Sequence, residues 1–134
     1  MRTLTAIALL ALIAAGPPPG AINPDVTQYN IDQTICVPGW TKTIRPPVSY
    51  TNRVKREMFP LQQNSHDYEL DHFIPLELGG HPTDVLNLWP QPWGGKCGAR
   101  AKDVMENALH RKVCSYRMTL ADSQVAITKG CWGQ

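Results

Sequence analysis

Four cysteines, Cys36, Cys97, Cys114 and Cys131, are spread along a chain of 134 residues, and they limit what it can fold into more than any other feature. An even number of cysteines in a short exported chain reads as a disulfide framework. None stands in a Cys-x-x-Cys pair, so a structural zinc site is the weaker alternative. Four cysteines allow three connectivities, and their order alone selects none of them.

The N-terminus argues for export. Arg2 supplies a short positive region, Leu4 to Ala15 is apolar apart from Thr5, and Ala14, Ala15 and Gly16 precede Pro17-Pro18-Pro19. That is the layout of a secretory signal peptide, expected over residues 1–21, and its apolar run is too short to cross a bilayer. A retained anchor is the alternative. Residues 22–134 then form one domain of roughly 110 residues, enough for a single modest core. The expected location is periplasmic or extracellular in a bacterium, with no stable membrane insertion after processing.

Residues 23–47 are rich in Pro, Thr and Asn and predict irregular structure with a short strand near Thr34 to Val37. A helix capped by Ser49 or Thr51 should run to Phe59, stopped by Pro60, with Val54, Met58 and Leu61 facing the core. Tyr68 to Ile74 has strand character, closed by Pro75, and Leu78-Gly79-Gly80 is turn chemistry. Val85 to Trp89 suits a returning strand, and the Pro- and Gly-rich stretch after it suits a loop. Ala99 to Val113 predicts a helix whose apolar stripe is Ala101, Met105, Ala108, Leu109 and Lys112. Asp103, Glu106, Asn107 and His110 lie opposite that stripe. Thr119 and Asp122 resemble a capping box opening a last helix to about Thr128, ended by Gly130. A short connection makes the last two helices antiparallel. Cys131 then returns to Cys97, leaving Cys114 for Cys36.

Net charge is a weak guide. The formal value is +2, so composition gives almost no nucleic-acid signal. Small basic groups at Arg53, Lys55 and Arg56, at Lys96, Arg100 and Lys102, and at Arg111 and Lys112 could follow a phosphate backbone or be ordinary solvated faces.

The informative stretch runs from Glu69 through Asp71-His72, Pro75 and Gly79-Gly80 to Asn87-Leu88. Phosphodiester hydrolysis needs a base to deprotonate water, a cation to offset phosphate charge, and a group to orient the imidazole. Asp71 and His72 can supply a hard oxygen ligand and a base. Side chains alternate along a strand, so both serve one site only if the strand ends or bends there.

This pattern resembles the HNH endonucleases, whose site is a hairpin followed by a helix, the ββα-metal arrangement. The resemblance covers residues 68–114, with a weaker likeness to exported bacterial members at Trp40 to Arg45 and along Lys102 to Cys114. It implies a small α+β single domain, disulfide-stapled, with a ββα-metal core and flanking helices. It also implies a metal-dependent nuclease acting on nucleic acid, DNA ahead of RNA. His72 would be the general base, Asn87 the residue orienting the loop or His72, and Asp71 a metal ligand. His110, then Glu106, would complete the ligands, because a His and a carboxylate at i, i+4 can converge on one ion. Lys102 or Arg100 would contact phosphate. The ion would be Mg²⁺ or Mn²⁺, with Zn²⁺ or Ni²⁺ open if His110 binds. The chain departs from the family pattern in the Trp-, Pro- and Gly-rich insertion Trp89 to Gly98. The competing reading is a non-catalytic exported module that binds nucleic acid or a surface. Trp40, Trp89, Trp93 and Trp132 are expected in the core or as caps, and no role is assigned to His66 or His81.

Overall fold

A computed structural model describes residues 18–58 and 66–132. Most of the expected leader, residues 1–17, and the expected core residue Leu61 lie outside the described residues. The described residues form a small α+β fold with one two-stranded antiparallel sheet and two disulfides.

The described chain opens with a 3₁₀ turn, Gln28–Gln33, where a strand had been expected slightly later. Thr34 cannot start that strand, because its hydroxyl donates back to the Asn30 carbonyl at 2.8 Å and Cys36 N–H returns to Ile31 O at 2.9 Å. Helices α1 (Trp40–Ile44) and α2 (Val48–Met58) follow. Val54 is the buried residue of α2, as its spacing predicted. Strand β1 (Tyr68–His72) pairs with β2 (Leu88–Pro92), placing Asp71 opposite Trp89 and Glu69 opposite Gln91.

The returning strand therefore begins three residues later than its apolar run suggested. Val85–Asn87 is instead a 3₁₀ turn, capped by Asp84, whose carboxylate accepts from Leu86 N–H at 2.8 Å. The prolines of β2 are tolerated for a geometric reason. Phe73 N–H bonds to Asn87 O and Trp93 N–H to Asp67 O, so the hydrogen-bonded positions are the odd-numbered ones. Pro90 and Pro92 fall between them, on positions whose N–H would face away from β1.

Helices α3 (Ala99–Cys114) and α4 (Leu120–Thr128) pack against each other. The Thr119 side chain accepts from Asp122 N–H at 3.0 Å, the predicted cap, and Gln28 Oε1 accepts from Leu120 N–H at 2.7 Å. The connectivity is Cys36–Cys114 and Cys97–Cys131, as the antiparallel pair required. One apolar cluster joins Phe73, Ile74, Leu78, Trp89, Leu109, Ile127 and Trp132 beneath the hairpin; a second joins Val26, Ile31, Ile35, Val113 and Leu120. Phe73 meets Trp89 edge-on with centroids 6.0 Å apart.

The inward arc of α3 is rotated from the predicted stripe. Ala99, Lys102, Leu109 and Val113 are its buried residues, whereas Lys112 is exposed. Residues 20–23 also belong to the fold, although the expected leader reached residue 21. Gly20 N–H bonds to Leu86 O, His81 N–H to Ala21 O, and Asn23 N–H to Gly79 O, while Ile22 bridges Gly80.

Candidate active site

Asn87 builds the hairpin loop from inside. Its side chain is fully buried, with Oδ1 accepting from Ile74 N–H at 2.8 Å and Nδ2 donating to Ile74 O at 2.9 Å and His81 O at 3.0 Å. A longer contact of 3.4 Å reaches Ala21 N–H. One amide thus ties the end of β1, the loop and the N-terminal segment together. His81 adds a local cap, since its Nδ1 accepts from the N–H groups of Thr83 and Asp84. Gly80 leaves no room for a side chain, because a Cβ there would lie 1.8 Å from Ile74 O.

The locked loop presents Pro82 O to His72. Imidazole Nε2 lies 2.8 Å from that carbonyl, so Nε2 carries the hydrogen and Nδ1 keeps its lone pair. Among the described residues nothing hydrogen-bonds to Nδ1. His72 is 8% exposed, and burial lowers its pKa below the usual 6.5, outweighing the carbonyl contact and the Asp71 charge. The ring is neutral at pH 7, the form a base requires.

Asp71 leaves β1 on the other face and meets α3 there. Lys102, expected as a phosphate contact, is instead completely buried. Its ammonium donates to Asp71 Oδ2 at 2.7 Å, to His72 O at 2.8 Å and to Glu106 Oε1 at 2.5 Å. Three acceptors use its three protons, leaving none for a phosphate. Both carboxylates hold Lys102 protonated, its pKa raised despite burial. One ammonium cannot neutralise two carboxylates in a poorly solvated place, and Glu106 carries the excess proton, its pKa pushed up to about 7 by burial against the pull of Lys102.

Further carboxylates extend this group. Glu69, on the Asp71 side of the strand, is raised to about 7 by burial and then by the charges of Asp71 and Asp103. Burial raises Glu77 in spite of nearby His110. Arg45 is exposed, its charge reaches both Glu69 and His72, and it makes no ion pair among the described residues. Felt by Glu69 and His72 alike, that charge makes Arg45 a functional candidate that the site motif did not point to. Arg100 is exposed and lines a polar depression with His66, Asp67, Trp93 and Gly94.

The ligand set expected for a divalent ion does not assemble. Asp71 and Glu106 converge, but on Lys102. His110 turns elsewhere: its Nε2 donates to Ile35 O at 2.8 Å and lies 3.4 Å from Cys114 Sγ, and its Nδ1 faces Glu77 Oε2 at 3.8 Å. Cys36, His110 and Cys114 form a group that could hold a metal ion, with ligand atoms within 4.8 Å of one another. In the disulfide neither sulfur is a thiolate, so that group becomes a ligand set only after reduction.

No protein-family model matches the chain, and no curated protein or solved structure is significantly similar to it. The site's chemistry therefore rests on its own geometry. The disulfides suit an oxidising, exported environment. No helix among the described residues is long and apolar enough to cross a membrane.

Proposed function

We propose that the protein is a nuclease that hydrolyses phosphodiester bonds, in DNA ahead of RNA, with His72 as general base, in the periplasm or outside the cell. The observation that carries this reading is the imidazole held from behind by Pro82 O, with Nδ1 left to take a proton from water. Arg45 holds the phosphate and offsets the charge that builds up on its oxygens during attack. The departing oxygen takes its proton from solvent water, because Glu69, though it keeps its proton up to about 7, stands on the face of β1 opposite His72. Asn87 touches no substrate and is a positioning residue for the loop that orients His72. The Mg²⁺ or Mn²⁺ implied by the family resemblance, and equally Zn²⁺ or Ni²⁺, does not fit Asp71, Glu106 and His110 as arranged, so no step is routed through a metal.

The test is cleavage of plasmid and single-stranded DNA by oxidised protein freed of its leader, in EDTA and with each of these ions. Cutting should disappear in folded His72→Ala and fall as pH drops through the lowered pKa of His72, where the ring takes up its proton. Absence of cutting in every condition, by protein with both disulfides intact, refutes the proposal. The enclosure of Lys102 favours a second reading, a nucleic-acid-binding module without catalysis. That module would retain DNA equally well with and without His72.

A further inference from the structure

The place where Asp71 and Glu106 converge is built for a cation, and it already contains one. Lys102 Nζ sits among one oxygen of each carboxylate and the His72 carbonyl, at 2.5–2.8 Å, with its side chain 0% exposed. We infer that the Lys102 ammonium is the resident cation of this site, standing where a divalent ion would sit, and that the protein works without a bound divalent metal. The inference deepens the nuclease reading and rests on it only for the statement about cleavage; the statement about ion binding stands apart from it.

The competition between the two cations follows from elementary costs. A divalent ion at this point would share its oxygens with a full positive charge, or else expel it. Expulsion leaves a long side chain to find new acceptors in a closed interior, and separating a buried charge from its partners is expensive. The tethered ammonium, in turn, is always at hand and surrenders no translational freedom when it binds. Mg²⁺ is a poor challenger, because it gives up water reluctantly and demands near-octahedral oxygen ligation. Lys102 also links β1 to α3 directly, so the same contact that fills the site clamps the hairpin onto its helix. Its position on α3 allows this, since Lys102 and Glu106 are one turn apart and face β1 together.

The experiment is a Mn²⁺ titration followed by electron paramagnetic resonance on the oxidised protein, comparing wild type, Lys102→Ala and Lys102→Ala with Asp71→Asn. Wild type should leave Mn²⁺ free. Lys102→Ala should bind it about tenfold more tightly or better, and the added Asp71→Asn should abolish the gain. Folded Lys102→Ala that takes up no more Mn²⁺ than wild type overturns the inference. Should Lys102→Ala fail to fold, the wild type decides alone. Its buried ammonium should give a slowly exchanging ¹⁵N-lysine signal that persists in excess Mg²⁺, whereas Mn²⁺ uptake that Asp71→Asn removes would refute the inference. Cleavage is read separately. Cutting that survives EDTA supports the inference, cutting that requires added metal refutes it, and no cutting at all counts against the nuclease reading while the ion titration still decides the cation.

Discussion

Replacing Asn87 by Ala should cost far more stability than its small size suggests. The side chain is fully buried and satisfies Ile74 N–H, Ile74 O and His81 O at 2.8, 2.9 and 3.0 Å. Alanine cannot replace these bonds, and the backbone groups left behind lie in the interior. Each lost bond removes about 1 kcal/mol, and each stranded buried group can raise the cost to about 1–3 kcal/mol. Three such groups, partly relieved by local relaxation, give roughly 3–5 kcal/mol of destabilisation. At about 4–8 °C per kcal/mol for a domain of this size, Tm should fall by roughly 12–40 °C. Urea unfolding of oxidised protein, followed by tryptophan fluorescence, measures the free energy directly; calorimetry gives Tm. A loss below about 1 kcal/mol would refute the claim that Asn87 holds the loop. Asn87→Asp should be at least as damaging, because it keeps the acceptor for Ile74 N–H but sets a carboxylate against two carbonyl oxygens.

Two further outcomes are expected. Stability should decline as pH rises from about 4.5 to about 7: Glu106 and Glu69 have folded pKa values near 7 against an ordinary 4.5, so the native state holds more protons than the unfolded chain across that window. The enclosed Glu106 accounts for up to about 3 kcal/mol and the more exposed Glu69 for less, and a urea midpoint that stays level across the window in wild type would contradict this. Removing Cys36–Cys114 by paired alanines should cost about 4.5 kcal/mol and removing Cys97–Cys131 about 3.8, because the loops close over sequence separations of 78 and 34; a reversed order in urea unfolding would show that chain entropy does not govern their contribution.

What the sequence made legible was local. Thr119 with Asp122 announced α4, and the short link before it fixed the return of Cys131 to Cys97, so both disulfides followed from element geometry. The prominence of Asn87 in the pattern was also visible. Its four contacts were not, since three of them lie on Ile74 and Ala21, residues remote in the chain. The course of α3 was misread for a physical reason. Nothing in the residues around Lys102 announces a buried acceptor, so on sequence it reads as a solvent-facing phosphate contact. Its burial depends on Asp71, which lies 31 residues earlier. The opposite error holds for Lys112, which completes an apolar stripe on paper but is exposed in the fold. In β2 the prolines read as a loop, because only the strand register reveals that their missing N–H groups face outward.

The charge arrangement bears on how a polyanion could approach at all. Glu69, Asp71, Glu77, Asp103 and Glu106 feel one another's charges around Lys102, and a phosphate backbone laid across ionised carboxylates would be repelled. Protonation of Glu69 and Glu106 near pH 7 weakens that repulsion, and Arg45 adds an exposed positive charge felt by both Glu69 and His72. Approach is therefore favoured as pH falls. The chemistry runs the other way, because His72 accepts a proton from water only when neutral, above its lowered pKa. The two trends oppose each other, so cleavage should pass through a maximum between the titration of His72 and that of Glu69 rather than rise steadily with pH. A purely binding module lacks the second trend. For it, DNA retention would simply strengthen toward acid, which separates the two readings by the shape of a pH profile even before any residue is changed.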